Sequence, residues 1–65
     1  MNPVEVVMPD GREFRVVFND AYQVIYFQRV YTRRAADGQF VTVRRHVRYR
    51  QDVIDAARAK LTGKA

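Results

Sequence analysis

The spacing of apolar residues along this chain changes period, and the changes divide it into elements. Val4 to Met8 is a short apolar run rich in β-branched residues. From Arg12 to Phe18 apolar and polar positions alternate, with Phe14, Val16 and Phe18 on one side and Glu13 and Arg15 on the other. Successive side chains of a strand point to opposite faces, so this alternation predicts a half-buried strand. Between the two runs, Pro9-Asp10-Gly11 offers turn chemistry: proline presets φ, aspartate bonds nearby backbone, and glycine tolerates positive φ. A first hairpin follows.

Asn19-Asp20 interrupts the pattern, and Ala21 to Arg34 then reads two ways. Tyr22, Val24, Ile25, Tyr26, Phe27, Val30, Tyr31 and Thr32 are β-branched or aromatic and favour a strand. Asp20 followed by Gln23 resembles a capping box that would open a helix. The helical wheel separates poorly, because Gln23, Gln28, Arg29 and Arg33 spread around more than half of it, so strand is the better reading. Ala35-Ala36-Asp37-Gly38 forms the next turn. Phe40 to Tyr49 predicts a strand with Val41, Val43, Val47 and Tyr49 on one face and Thr42, Arg44, His46 and Arg48 on the other.

From Gln51 to Thr62 the period becomes helical, with Val53, Ile54, Ala57 and Leu61 in one stripe. Asp52 and Asp55 near its start, Arg58 and Lys60 near its end and Gly63 just past it suit the macrodipole and a glycine cap. The expected fold is α+β and β-rich: a small curved antiparallel sheet of about four strands, as two hairpins, followed by one C-terminal helix. Residues 1–65 read as a single small basic domain, without repeat, linker or low-complexity stretch.

The turn at Gly38 decides which residues share a face of the second hairpin. A two-residue Asp37-Gly38 turn would place Phe27, Arg29, Tyr31 and Arg33 beside Arg44, His46 and Arg48. A three-residue turn closed by Gly38 would place Tyr26, Gln28, Thr32 and Arg34 there instead. A one-residue slip exchanges the whole set, because side chains alternate with period two. The apolar residues favour the second arrangement, which gathers Ile25, Phe27, Tyr31, Val41, Val43, Val47 and Tyr49 on one side.

Length adds a constraint on stability. A chain of 65 residues buries only about 60% of the surface its unfolded form exposes. Such chains usually gain a disulfide, a metal or a second copy. Cysteine is absent and His46 is the single histidine, which leaves no disulfide and no structural metal site. A homodimer is the remaining expectation. The stretch from Val24 to Tyr31 carries large apolar groups toward both faces, so Tyr26, Phe27 or Tyr31 is expected at or near that interface.

Charge is unevenly placed. The net charge is +5. Residues 28 to 50 hold Arg29, Arg33, Arg34, Arg44, Arg45, Arg48 and Arg50 against Asp37 alone, a net of +6. Localised charge speeds encounter with an anionic partner, and arginine binds phosphate or carboxylate bidentately and stacks on flat rings. The candidate nucleic-acid-binding set is Arg44, His46 and Arg48 with Arg29, Arg33, Arg34 and Arg45. Arginines at every second strand position lie about 6.6 Å apart, near the phosphate spacing of an extended single strand, and a two-stranded ribbon also fits a major groove. The blander reading is a solvated face whose counter-ions come from Glu5, Glu13 or Asp20.

Catalysis has little to stand on. Serine and cysteine are both absent, which removes the two usual nucleophiles. Gly11, Gly38 and Gly63 occupy turns or caps rather than a phosphate loop, and no cofactor is implied. The aromatic-basic signatures of RNA-binding sheet proteins are also missing. No apolar run reaches the 18 or more residues of a membrane helix, and Met1 to Glu5 does not resemble a signal peptide, so the expected address is cytoplasmic. The chain thus reads as a small non-enzymatic protein that binds DNA or RNA through an arginine-rich face of its second hairpin. The alternative is a protein-interaction module, such as a phage-type inhibitor, adaptor or small subunit, docking on an acidic partner surface.

Overall fold

The computed structural model describes residues 2–63. Strands β1 (Asn2–Val7), β2 (Glu13–Phe18), β3 (Val24–Arg34) and β4 (Phe40–His46) form one open antiparallel sheet in the order β1-β2-β3-β4, followed by helix α1 (Gln51–Leu61). The two expected hairpins are joined by pairing of β2 with β3. The ambiguous stretch is strand. The residue that caps here is Asn19 rather than Asp20, and it caps a turn: the Asn19 Oδ1 accepts from the Ala21 and Gln23 backbone N–H groups, each at 2.9 Å.

All three turns have the same construction. The N–H of Met8, Asn19 and Ala35 donates to the carbonyl four residues on, at Arg12, Gln23 and Gln39. The N–H of Gly11, Tyr22 and Gly38 donates back to the carbonyls of Met8, Asn19 and Ala35. These are three-residue loops whose last residue is left-handed, with φ of 87° at Gly11, 60° at Tyr22 and 84° at Gly38. In the first and third turns an aspartate at the middle position fixes the exit, Asp10 accepting from Arg12 N–H and Asp37 from Gln39 N–H, both at 3.0 Å. The second turn puts tyrosine where its two counterparts have glycine. Just past it Phe18 pairs with Val24 while Val17 pairs with Tyr26, leaving Ile25 as the extra residue of a bulge.

The core lies on one face of the sheet. Val4 and Val6 of β1, Phe14, Val16 and Phe18 of β2 and Phe27 of β3 are buried against Val53, Ile54 and Ala57 of α1. The expected helical stripe is therefore the packed face, with Leu61 at its margin. The Asp52 carboxylate accepts from the Arg50 guanidinium at 2.8 Å and from Val53 N–H at 2.9 Å. The Arg50 hydrogen bond is the main reason its pKa lies below the ordinary 3.8. At the other end the Gly63 N–H bonds Lys60 carbonyl with φ 76°, the expected glycine stop. Lys60 Nζ donates to the Glu5 carbonyl at 2.7 Å and Arg58 to the Tyr22 carbonyl at 3.3 Å, tying α1 to β1 and to the turn between β2 and β3.

Two expectations need correction. The last strand ends at His46 rather than Tyr49. Helix α1 packs on β1 and β2, so Phe27 on β3 needs another cover. The chain supplies it by leaving the sheet: Tyr49 sets its ring 5.4 Å from that of Phe27, Val47 joins the core margin, and Arg50 lies over Phe14 at 5.3 Å. Arg48 accordingly sits on this link, outside any strand face. The second correction is that Arg48 leaves the face of Arg44 and His46; Phe27, 1% exposed within its own chain, belongs to the core.

Replacing Tyr22 with glycine should raise stability by about 1 kcal/mol, because a left-handed residue with a Cβ costs roughly 1–2 kcal/mol and part of that gain is returned as chain entropy. Gly11→Ala should lower it by a similar amount for the same reason. Urea unfolding midpoints at constant slope measure both.

Candidate functional site

The second hairpin stands out from the rest of the molecule. Pairing between β2 and β3 stops at Glu13 opposite Val30, while β3 and β4 stay paired out to Arg34 opposite Phe40. Tyr31 to Arg34, the turn and the start of β4 thus form a two-stranded arm. The radius of gyration is 13.0 Å and the long axis 42 Å, against about 11 Å for the radius of a compact chain of this length.

The three-residue turn at Gly38 fixes the register of the arm. It places Tyr26, Gln28, Val30, Thr32 and Arg34 on the same face as Phe40, Thr42, Arg44 and His46, the face that α1 leaves open. The opposite face, on the helix side, carries Arg29, Tyr31 and Arg33 with Val41, Val43 and Arg45. This is the arrangement favoured by the apolar residues, with one difference of outcome. Beyond the reach of α1 the helix-side residues lose their cover, so Val41 is exposed and Tyr31 and Val43 are only half-buried. The seven basic candidates are consequently divided. Arg34, Arg44 and His46 share the open face, Arg29, Arg33 and Arg45 share the other, and Arg48 belongs to neither.

Arg29 and Arg45 stand directly opposite one another. Like charges in that position repel, and a carboxylate would normally relieve them. Among the described residues the ion pairs are Arg12–Asp10 at 3.7 Å and Arg50–Asp52 at 2.8 Å. Glu5, Glu13 and Asp20 therefore do not act as ion-pair partners of the arm. Its guanidinium groups lie over rings instead, Arg29 over Tyr31 at 5.4 Å and Arg34 over Phe40 at 5.9 Å. Arg34 Nε also donates to the Gly38 carbonyl at 3.3 Å, stiffening the tip. Phe40 itself is 71% exposed.

His46 closes the inner end of the open face. Its Nε2 is 3.4 Å from Gln28 Nε2, and its ring lies 6.1 Å from that of Tyr26. These contacts make it a member of the sheet surface. Tyr26 is 48% exposed there, over the β2 row in which Val17 is buried. A cavity of about 530 Å³ separates the arm from the first turn and is lined by Arg12, Glu13, Arg29, Tyr31, Thr32 and Thr42 among others. Its mixed charge gives it no single ligand chemistry.

Among the described residues no three His, Cys, Asp or Glu side chains gather as for a metal ion, and no helix is long and apolar enough to cross a membrane. Compared with known protein families, curated proteins and solved structures, the chain matches none.

The opposed arginines make a prediction about the free protein. Arg45→Glu places a carboxylate against Arg29 and should stabilise the fold by about 0.5–1 kcal/mol. A urea midpoint that moves downward instead would show that the repulsion is not felt.

Proposed function

We propose that this chain is a non-enzymatic nucleic-acid-binding protein whose contact element is the β3–β4 arm. The observation that carries the reading is the Arg29–Arg45 pair, opposed across the strands and, among the described residues, without a carboxylate in ion-pair reach. Arg33 extends this row outward, and Arg34 and Arg44 add charge on the other face. An arrangement that repels itself in isolation is relieved by an anion. Several arginines spread along a ribbon call for an anion that repeats, and duplex DNA carries one negative charge per about 1.7 Å of axis. Guanidinium forks bind phosphate oxygens bidentately.

If Arg33 and Arg34 on the arm and Arg29, Arg44 and Arg45 at its root each neutralise a phosphate, the logarithm of affinity should fall against that of salt with slope about −4.5. Between 50 and 200 mM that is a loss of roughly 10²–10³. Fluorescence titrations of labelled DNA and RNA at several salt concentrations measure it. No binding to either at low salt, together with a stoichiometric protein partner that survives nuclease, would transfer the arm to an acidic protein surface.

A second copy of the chain belongs to the same proposal. Tyr26 is exposed on the open face, which α1 leaves uncovered, and Tyr31 is half-buried at the base of the arm. A two-fold pairing through Tyr26 would cover that ring and present two arms to one polyanion. Light scattering at micromolar concentration, where specific association normally shows, should give the mass of two chains. Tyr26→Ala should return it to one.

A further inference from the structure

The division of arginines between the two faces of the arm bears on the shape of the partner. A flat anionic surface, or a single extended strand lying along the sheet, meets one face of a ribbon and leaves the other in water. Here neither face is the bare one. Arg34 and Arg44 lie on the open face, Arg29, Arg33 and Arg45 on the other. Within each face the outer and inner arginines are about 14 Å apart, four residues along the ribbon. A partner that uses both sets has to stand on both sides of the arm.

A groove of a duplex does so, because its two walls are phosphate backbones. The dimensions agree. A β-sheet with side chains on both faces is about 10 Å thick, the spacing at which sheets stack. The major groove of B-form DNA is about 12 Å wide and 8.5 Å deep and admits a two-stranded ribbon. The minor groove, about 6 Å wide, does not take this thickness without being opened. The major groove of A-form RNA is deep, narrow and closed to side chains. The part of β3 that extends past β2 supplies about 14 Å of ribbon at 3.4 Å per residue, before the turn is counted. Among the described residues the outer edge of β4 has no neighbouring strand, so the sheet does not block its approach to a groove floor.

We propose that the β3–β4 arm enters the major groove of duplex DNA edge-on, its two faces turned to the two phosphate walls and the free edge of β4 toward the base pairs. The inference rests on the nucleic-acid reading above and narrows it to one kind of nucleic acid and one geometry. In this orientation Arg29, Arg33 and Arg45 reach one wall and Arg34 and Arg44 the other, while backbone groups rather than side chains face the bases. Binding should then tolerate most sequences.

Four low-salt titrations of the full chain test this: duplex DNA of about two helical turns, either of its strands alone, the same sequence as duplex RNA, and the duplex carrying glucosylated hydroxymethylcytosine, whose sugars fill the major groove. The plain DNA duplex should bind at least about tenfold tighter than the other three. Equal or tighter binding to the single strand, to the RNA duplex or to the glucosylated duplex would overturn the groove assignment while leaving nucleic-acid binding intact. Absence of binding to all four would overturn both readings. A second measurement addresses the two faces. Arg34→Ala with Arg44→Ala, and separately Arg29→Ala with Arg45→Ala, should each reduce the salt slope on duplex DNA by about 2. The four residues are exposed, and circular dichroism verifies that each variant is folded. One pair lowering the slope while the other leaves it unchanged would mean that a single face binds, and edge-on insertion would be wrong.

Discussion

The left-handed residue that closes each turn is the constraint on which the rest of the structure depends. A three-residue loop with its last residue at positive φ sets the pairing of the strands that leave it, and in a sheet the pairing decides which side chains share a face. At Gly11 this aligns Val4 and Val6 with Val16 and Phe14, making the inner face of the first hairpin continuously apolar. At Gly38 it brings Arg29 opposite Arg45 and Thr32 opposite Thr42. With a loop one residue shorter at Gly38, β4 would turn over: Arg44 and His46 would join Phe27, Arg29 and Arg33 on the helix side, and Val41, Val43 and Arg45 would move to the open face.

The second constraint is that one short helix cannot cover four strands. Helix α1 spans Gln51–Leu61 and is spent on β1 and β2. Val47 and Tyr49 extend the cover to Phe27, and beyond them nothing is left for the arm. That shortage separates the molecule into a packed end and a projecting end. Backbone pairing with β4 holds the projecting end, and its rings are met by arginines, Tyr31 by Arg29 and Phe40 by Arg34, with Phe40 left largely exposed. The free edges are handled differently. β1 carries Pro3 and has its Glu5 carbonyl taken by Lys60, which discourages strand addition. β4 carries Arg44, Arg45 and His46, charges that discourage it at the inner end but leave Phe40 to Val43 bare.

Much of this was legible in the residues. Alternation in Arg12–Phe18 and Phe40–His46, β-branched and aromatic enrichment in Val24–Arg34 and the helical stripe of Val53, Ile54 and Ala57 each name their element. Asp37-Gly38 pointed to a left-handed position, and the apolar residues favoured the three-residue loop. From that loop the pairing of Arg29 with Arg45 follows by counting outward from Ala35 and Gln39. Local pattern hides it, because alternation places polar residues opposite the apolar face. That rule holds only where the apolar face is covered, and coverage depends on where α1 docks, a tertiary fact absent from local pattern. The end of β4 is hidden for the same reason: Val47 and Tyr49 alternate like strand residues, yet Phe27 requires them elsewhere. Tyr22 gave no local signal, since only comparison with the two glycine-closed turns makes its position conspicuous.

Tyr22 and the Arg29–Arg45 pair share a thermodynamic character. A domain of 65 residues has roughly 3–10 kcal/mol of stability to lose. A left-handed tyrosine costs about 1–2 kcal/mol and an opposed like-charge pair up to about 1 kcal/mol, so together they take a substantial share. Neither is compelled by the fold. Glycine fits the turn at two equivalent places, and an acidic residue at either position of the pair would relieve the repulsion. Unfavourable local choices that the fold does not need accumulate where a surface serves a partner. The two lie apart along the chain, Tyr22 in the turn before β3 and beside the Arg58 tie to the helix, the arginine pair at mid-strand at the root of the arm. Screening by salt separates their contributions, because the repulsion weakens with ionic strength while the backbone strain at Tyr22 does not.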